Sequence, residues 1–371
     1  MKKILCVVGT RPEAIKMAPV IRTLKKNSDF KTTVLATGQH TDMLHQALSD
    51  FGIKADFDLN IMKTAQSLDY ITSSVLTGTG NFLDNNLQDF ILVHGDTSTT
   101  FAASLAGFYR KIPVGHVEAG LRSHDNYLPF PEEINRVLTD KIAELFFAPT
   151  ENAKQNLLNS GTKPEKIFIT GNTVIDALFE ILKIHNLKPD FMNKINNHPF
   201  ILMTAHRRES WGNPLLEICG AVRDIIDARN DIKFLIPLHK NPIVRDVIKS
   251  ELKNYSENII FTEPLNYPEF TYAMSKCEFI LSDSGGVQEE ASAINKPVLI
   301  MRTLSERPEA INHGTGILVG TDREVIKNQT LMILNDKSYL EKIISKNTKP
   351  FGDGTASIKI LEVLKKYFSE K

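Results

Sequence analysis

Hydrophobic positions along the chain fall into short runs rich in branched residues. These runs lie at 4–8, 32–36, 90–93, 113–117, 145–148 and 167–170, and again at 200–204, 232–237, 259–262, 279–281, 298–301 and 316–319. Between them, apolar residues recur with the spacing of one helix face, for example at 14–26, 41–51, 99–109 and 152–160. Strands that alternate with helices along a whole chain predict parallel sheets covered by helices on both faces.

The pattern also indicates how the chain divides. Its 371 residues are too many for one ordinary domain, and the alternation relaxes in the polar stretch 183–198. We therefore expect an α/β protein with two doubly wound domains, 1–170 and 171–354, and a cleft between them. A last predicted helix, at 356–368, could pack on either domain.

Charge and cysteine content narrow the class of partner. Lys plus Arg equal Asp plus Glu at 44 each, so no overall positive charge favours nucleic acid or an anionic membrane. No apolar run reaches the length of a membrane span. Cys6, Cys219 and Cys277 are far apart, which suits free thiols in a reducing compartment. We expect a cytoplasmic protein that binds a small molecule.

One stretch of the second half predicts an anion site. The apolar run 279–281 ends in Ser-Asp-Ser-Gly-Gly at 282–286, and helical spacing follows from Val287. A helix that begins at the carboxyl end of a parallel strand directs unpaired N–H groups at a bound anion. A diphosphate would fit there, with Ser284 as a hydroxyl donor and Glu290 near a ribose. The same residues also fit a plain helix start, in which Ser284 only caps the helix and the acids complement its dipole.

Charged residues beside glycines follow three predicted strands of the first half. Arg11 and Lys16 come after the first strand, Asp96 follows the strand at 90–93, and Glu118 follows the strand at 113–117. The carboxyl ends of such strands meet at one edge, so these charges are expected to converge. Glu132 opens a predicted helix shortly afterwards, where an acid also has an ordinary role beside the helix dipole.

The second half repeats this arrangement. His206 and Arg207 follow its first strand, where they could meet phosphate, and His239 follows the next strand. Phe270 could stack on a base, although a lone Phe in a helix is more often part of the core. The chain has no phosphate-binding Gly-x-x-x-x-Gly-Lys loop, no dinucleotide fingerprint, no His-Glu-x-x-His and no Cys-x-x-Cys. We therefore expect neither a cofactor nor a metal.

Nine separated motifs carry a family resemblance. They are GTRPEAIKMAP at 9–19, GQH at 38–40, HGDT at 94–97, GHVEAGLRS at 115–123, PFPEEINR at 129–136, ITGNTVID at 169–176, HRRES at 206–210, DSGGVQEEA at 283–291 and ERPEA at 306–310. In this order they closely resemble the non-hydrolysing UDP-N-acetylglucosamine 2-epimerases of bacteria. The resemblance implies two Rossmann-like domains of the glycosyltransferase B type, an active site in the inter-domain cleft, and a C-terminal helix, 355–371, that packs back on the first domain. It also implies a homodimer that makes UDP-N-acetylmannosamine for capsule or a related polysaccharide.

Family roles carry over where the motifs match. The resemblance implies an active site of Arg11, Lys16, Asp96, Glu118, Glu132 and His206. It implies UDP-binding positions at Arg11, His206, Phe270, Ser284, Gly285, Gly286 and Glu290. It implies a second, activating UDP-N-acetylglucosamine site at Gln39, Arg207 and His239. Ala205 stands where many relatives have Gly, which places that second site in doubt.

The chemistry of the expected reaction independently requires the kinds of residue assigned above. The hydrogen on C2 of the sugar is barely acidic, so it can leave only as UDP leaves C1, giving 2-acetamidoglucal. Acid and base groups are then needed on both faces of the ring, with cations for the diphosphate. Sequence leaves open which carboxylate removes the proton and which returns it. The alternatives are a hydrolysing epimerase, which releases UDP and N-acetylmannosamine, a glycosyltransferase of the same fold, and a UDP-sugar sensor.

Overall fold

The computed structural model describes residues 1–38, 41–63, 66–183, 187, 189–305 and 307–370. The strands are β1 Lys2–Val8, β2 Phe30–Ala36, β3 Phe57–Asp58, β4 Phe90–His94, β5 Val114–Val117, β6 Leu145–Ala148, β7 Ile167–Ile169, β8 Phe200–Thr204, β9 Lys233–Pro237, β10 Ile259–Thr262, β11 Ile280–Ser282, β12 Val298–Ile300 and β13 Gly316–Leu318.

The first half of the chain carries helices α1 Arg11–Lys25, α2 Thr41–Asp50, α3 Leu68–Asn85, α4 Ser98–Tyr109, α5 Glu132–Ile142, α6 Glu151–Asn159 and α7 Thr173–Leu182. The second half carries α8 Phe191–Ile195, α9 Asn213–Ala228, α10 Pro242–Leu252, α11 Tyr267–Lys276, α12 Gly285–Ala293, α13 Pro308–Asn312, α14 Arg323–Asn335, α15 Lys337–Ser345 and α16 Ala356–Ser369. Short 3₁₀ turns lie at Pro164–Lys166, Arg208–Ser210 and Lys253–Tyr255.

Within the described ranges the strands form two sheets in which every pairing is parallel. The first has seven strands in the order β3-β2-β1-β4-β5-β6-β7, and the second has six in the order β10-β9-β8-β11-β12-β13. The strand order reverses between β1 and β4, and again between β8 and β11. Ligands of doubly wound sheets bind outside the carboxyl ends of the strands at such points. The expected pair of doubly wound domains is confirmed.

The sheet strands are apolar because helices cover both faces. Every residue of β4 is buried, and so is the inner part of β1 from Ile4 to Val8. In the second sheet β8, β9, β11 and β12 supply Met203, Phe234, Leu281 and Leu299 to one continuous core. Fixed strands of this kind hold the loops at their ends in place.

The sequence pattern singled out neither β3 nor α3. β3 has only two residues, too few for an alternating pattern. α3 contains Gly78 and Gly80, which lower helix propensity. Both glycines lie at close approaches, since an added Cβ would come within 2.9 Å of a Leu59 methyl group at Gly78 and 2.8 Å of Arg110 Nη2 at Gly80. Tertiary packing therefore overrides the local signal.

The chain folds as two compact units. Unit 1 comprises 1–180 and 352–371, and unit 2 comprises 181–351. Because most of α7 belongs to unit 1, this division falls ten residues after the expected 170 (180 − 170). The Asp176 carboxylate of α7 accepts from Ala356 N at 3.1 Å, Ser357 N at 2.8 Å and Ser357 Oγ at 2.6 Å. Asp176 thus caps the first turn of α16 and fixes that helix to unit 1, where it packs on α1.

A membrane span requires a helix that is both long and apolar. Among the helices that the structure describes, none combines the two properties to the extent that crossing a bilayer needs.

Candidate active site

The first turns of α1, just after the loop that follows β1, carry the first cations of the site. A Cβ on Gly9 would lie 2.2 Å from Thr99 Oγ1, so only glycine allows this turn. Arg11 is the first residue of α1, and Lys16 follows a little more than one helical turn later. Lys16 Nζ donates to Glu118 Oε1 at 2.5 Å, across 102 residues of sequence. The expected convergence of Lys16 and Glu118 is therefore present in the structure.

Asp96 lies directly after β4 and is held from α5. Arg136 Nη2 donates to Asp96 Oδ2 at 2.5 Å, and Asn135 Nδ2 donates to the Asp96 carbonyl at 3.0 Å. Burial raises the pKa of Asp96, the charges of Arg136 and Lys16 oppose that shift, and the Glu118 charge adds to it. A carboxyl group that keeps its proton to higher pH is suited to acid and base work.

Glu118 is a tightly surrounded acid of unit 1. Its backbone has a φ of 66°, in the left-handed region, which turns the chain sharply after β5. Asn172 Nδ2 donates to Glu118 Oε1 at 2.8 Å, beside the Lys16 contact. The other oxygen, Oε2, lies 3.5 Å from His94 Nε2. Burial lowers the pKa of His94 to about 3, the Glu118 charge opposes this shift, and the charges of Lys16 and His116 add to it, so the ring is neutral at pH 7.

Glu132 is the first residue of α5 and is half-buried. It precedes Arg136 by four residues, so the two side chains lie on one face of α5, and Arg136 reaches Asp96. The next acid, Glu133, is buried and accepts from Ser123 N at 3.0 Å and His124 N at 3.3 Å. Glu133 thus ties the backbone of Ser123 and His124 to the first turn of α5. We refer to the acids Asp96, Glu118 and Glu132, together with Lys16, which pairs with Glu118, as the carboxylate rim.

A buried group of three hydrogen-bonded side chains holds the backbone next to Asp96. His116, in β5, donates from Nε2 to the Gly95 carbonyl at 2.7 Å, and its Nδ1 lies 2.6 Å from Asp140 Oδ1. Arg122 Nη2 donates to Asp140 Oδ2 at 2.6 Å. Burial alone would raise the pKa of Asp140, but His116 and Arg122 hold it below its usual value. His116, Arg122 and Asp140 thereby fix the peptide that precedes Asp96.

In unit 2, Asp283 joins the loops after β8 and β11. Its Oδ2 accepts from His206 N and Arg207 N, each at 2.8 Å, and its Oδ1 lies 3.0 Å from His206 Nδ1. Burial alone would raise the pKa of Asp283, but the hydrogen bonds and charge of His206, with the Arg207 N–H, hold it below its usual value. His206 is thereby fixed at the second point of strand reversal.

The start of α12 carries two glycines with room at their Cβ positions. Ser284 occupies the position before the helix, yet its side chain makes no capping hydrogen bond. A Cβ on Gly286 would meet nothing within 4 Å, and one on Gly285 would have only Arg207 Nη2, at 4.0 Å. Ser284 thus stands at the N-cap position, but its hydroxyl does not cap the helix. We call Ser284, Gly285 and Gly286 the glycine cradle. The Ser284 N–H donates to Ser282 Oγ at 3.0 Å, while the N–H groups of the two glycines and the helix dipole suit an anion.

The two acids of α12 have different surroundings. Glu289 is buried and pairs with Arg307. Glu290 accepts a hydrogen bond from Tyr267 Oη at 2.6 Å. Tyr267 lies on α11 three residues before the half-buried Phe270, so the helix that orients Glu290 also carries the expected aromatic residue.

The residues expected at a second sugar-nucleotide site are only partly described. The rings of His206 and His239 are 6.0 Å apart and nearly parallel, with 27° between their planes. His239 Nδ1 accepts from Asn241 N at 3.2 Å. Burial lowers the pKa of His239, and the His206 charge acts in the same direction. Arg207 follows His206 directly in sequence. Gln39 lies outside the described residues.

A metal centre would need several ligating side chains close together. Among residues with described positions, no cluster of three or more His, Cys, Asp or Glu side chains could hold a metal ion.

Comparison with known proteins identifies the family. The family model described as UDP-N-acetylglucosamine 2-epimerase matches residues 22–365. The chain belongs to this family. Its relative in Salmonella typhimurium, a UDP-N-acetylglucosamine 2-epimerase, is 46% identical over 375 residues, covering 98% of this chain and 99% of the relative. The family resemblance stated from the motifs is confirmed.

Solved structures of the family agree with the fold. UDP-GlcNAc 2-epimerase from Neisseria meningitidis, bound to UDP-GlcNAc, is 46% identical with a TM-score of 0.88 and covers 98% of this chain and 100% of its own. S. aureus MnaA in complex with UDP is 45% identical with a TM-score of 0.89 and covers 100% of this chain and 97% of its own. The expected glycosyltransferase B type of fold is likewise confirmed.

Several supporting residues were missed at the sequence level. His94, Arg136, Asn172 and Asp283 each lie inside a motif quoted above, but sequence alone gave them no role. Each contacts a residue from a distant part of the chain. Only the position within a motif could have drawn attention to them.

Proposed function

We propose that this chain interconverts UDP-N-acetylglucosamine and UDP-N-acetylmannosamine by eliminating and re-adding UDP. The observation that carries the proposal is the carboxylate rim, where Lys16, Asp96 and Glu118 converge at the point of strand reversal in unit 1. Solved relatives in complex with UDP-GlcNAc and with UDP support the choice of substrate.

The proposed reaction begins with elimination. The C1–O bond breaks and its electron pair leaves with UDP, while the electron pair of the C2–H bond forms the C1=C2 double bond. The proton passes to a carboxylate of the rim, giving 2-acetamidoglucal. A proton is then delivered to the opposite face of C2 as UDP adds again to C1. This sequence needs two proton-carrying groups and no oxidant or reductant.

The rim offers three acids for these steps. Glu118 receives a charged donor, Lys16, and an amide donor, Asn172, on one oxygen, which orients the carboxylate. Burial raises the pKa of Asp96, and Arg136 fixes its position. Glu132 is placed by α5 on the face that carries Arg136. In the proposal these three acids exchange the proton with C2 on its two faces.

Unit 2 is proposed to hold UDP. The glycine cradle would receive the diphosphate, with His206 as a further donor, and Arg11 of unit 1 would add a cation. Glu290, oriented by Tyr267, would accept from the ribose, and Phe270 would stack on the base. That one substrate meets both the cradle and the rim, in the expected cleft, stays a prediction of this proposal. So does a second nucleotide site at Arg207 and His239, with Gln39.

The proposal extends to the cellular setting and the oligomeric state. Three buried free thiols suit a cytoplasmic enzyme, and the family resemblance suggests a homodimer that supplies precursors of surface polysaccharide. Sedimentation of the purified protein tests the dimer directly.

The decisive experiment is incubation with UDP-N-acetylglucosamine alone, followed by NMR of the products. We expect a mixture of the two UDP-sugars. Accumulation of UDP with free N-acetylmannosamine would select a hydrolysing epimerase. Turnover that appears only after an acceptor is added would select a glycosyltransferase, and binding without any turnover would select a sensor.

A further inference from the structure

Glu13 is a buried acid to which the proposed mechanism gives no role. Its side chain is 2% exposed, and within the described ranges it makes no ion pair. Its Oε2 accepts from Gly9 N at 2.9 Å and Thr10 N at 2.6 Å. Its Oε1 lies 2.6 Å from Thr97 Oγ1 and 3.0 Å from Thr100 Oγ1. The carboxyl group thus contacts two loops, one after β1 and one after β4.

Only part of this arrangement is ordinary helix capping. An acid at the third position of a helix often reaches back to the N–H of the residue before the helix, here Thr10. Contacts with two hydroxyl groups at the start of α4, more than 80 residues away, are not part of that motif. An isolated ionised carboxylate in such a place would be costly, because no cation compensates its desolvation.

The protons available to these groups indicate the charge of Glu13. Thr100 Oγ1 carries one hydrogen but lies within hydrogen-bond distance of three possible acceptors, the His94 carbonyl at 2.6 Å, Glu13 Oε1 at 3.0 Å and Thr97 Oγ1 at 3.2 Å. If the hydroxyl donates along the shortest contact, an ionised Glu13 would face a hydroxyl lone pair. A proton on Glu13 Oε1 resolves the conflict, since the acid then donates to Thr100 and Thr100 donates to His94.

We propose that Glu13 is a positioning residue, held as a neutral carboxylic acid, that locks the loop just before Arg11 to the loop carrying Asp96. Burial raises the pKa of Glu13, in agreement with this protonation state, while its hydrogen bonds to Thr97, Gly9, Thr10 and Thr100 reduce the shift.

The lock acts on the carboxylate rim through the backbone. Thr100 fixes the His94 carbonyl, and the His94 ring lies beside Glu118. Two residues further along the chain is Asp96. A small displacement of either loop would misplace a reacting group, and misplacement by about 1 Å can cost roughly 100-fold in rate. This functional consequence rests on the proposed epimerase activity, whereas the protonation state of Glu13 does not.

The state of Glu13 is tested without turnover by infrared difference spectroscopy. The spectrum of the unliganded wild type minus that of Glu13→Gln should contain a carboxylic acid C=O band, because the variant lacks that group. Asp140→Asn serves as the matched control, because an acid held between His116 and Arg122 should lose carboxylate bands instead. Loss of carboxylate bands in Glu13→Gln would overturn the proposal.

The positioning role is tested by two substitutions. Gln can accept from Gly9 N and Thr10 N and donate to the threonines, so Glu13→Gln should keep kcat within about threefold and leave the Kd for UDP unchanged. Glu13→Ala should lower kcat by ~10- to 100-fold, also without weakening UDP. Equal losses in both variants would show that a negative charge is needed and would refute the neutral lock. Wild type without epimerase activity would refute the proposed function alone, because the infrared result would still stand.

Discussion

The two points of strand reversal are built in opposite ways. The carboxylate rim of unit 1 gathers acids and surrounds them with fixed donors, so that Lys16 and Asn172 hold Glu118 and Arg136 holds Asp96. In unit 2 the acid at the corresponding point, Asp283, is occupied with the backbone of the β8 loop. In the glycine cradle beside it Gly285 is buried and Gly286 is exposed, and little lies near the Cβ position of either glycine.

This difference separates proton chemistry from anion binding. Acids in fixed, partly desolvated positions can exchange protons but would repel a diphosphate, while an uncovered helix start attracts a diphosphate but has no proton to move. We therefore expect substitutions in the rim to act on kcat and substitutions in the cradle to act on UDP affinity.

The largest effect is expected in the rim. Glu118→Gln keeps the shape of the side chain but removes its ability to take a proton, so kcat should fall by about 10²- to 10⁴-fold. The Kd for UDP, measured by calorimetry, should not change. Glu151→Gln, at the exposed start of α6, is the matched control and should have wild-type kcat. A loss of UDP affinity equal to the loss of kcat would contradict the separation of proton chemistry in the rim from UDP binding in the cradle.

A second prediction concerns the support beneath the rim. Asp140→Asn removes the acid shared by His116 and Arg122 and should cost about 3–5 kcal/mol of unfolding free energy at pH 7. The pKa of Asp140 is lowered by folding, so its contribution is complete above the unfolded value, about 3.9, and is lost as the pH falls through the folded value. The stability gap between wild type and variant should therefore narrow below about pH 4. Urea unfolding across a pH series measures this, and a gap that widens towards acid would contradict the assigned charges.

The third prediction tests the cradle. Because Ser284 does not cap α12, Ser284→Ala should barely change the unfolding free energy, yet it should weaken UDP by about 1–3 kcal/mol. Asp322→Ala provides the opposite case. Asp322 caps α14 by accepting from Val325 N at 2.9 Å, so its loss should cost about 1 kcal/mol of stability and no UDP affinity. If Ser284→Ala behaved like Asp322→Ala, the cradle would be an ordinary helix start.

The smallest effect is expected at Gly286. Its Cβ position is open, and Ala in a helix is favoured over Gly by about 0.5–1 kcal/mol, so Gly286→Ala should raise Tm slightly. If the diphosphate approaches the backbone there, the added methyl group should also weaken UDP. A rise in Tm with unchanged UDP affinity would place the diphosphate away from Gly286.

The sequence predicted the elements and charged loops of the two regions but not the long-range contacts that distinguish them. Strands, helices and the charged loops after them could be predicted, because apolar runs and glycines are local signals. The stretch at 282–286 also predicted a cradle, but left open whether Ser284 served only as a cap. What sequence could not supply were the long-range hydrogen bonds, such as those from His206 N to Asp283 or between Thr97 and Glu13. Those bonds depend on which loops the sheet brings together.

The central claim is that the acids of the rim exchange a proton with C2 of the sugar. It is tested most directly by turnover of UDP-N-acetylglucosamine in heavy water, followed by NMR or mass analysis of the product. Because the returned proton comes from a solvent-exchanged group on the other face, UDP-N-acetylmannosamine should carry deuterium at C2. Product that retains its original C2 hydrogen in full would contradict the elimination mechanism, and with it the roles proposed for Asp96, Glu118 and Glu132.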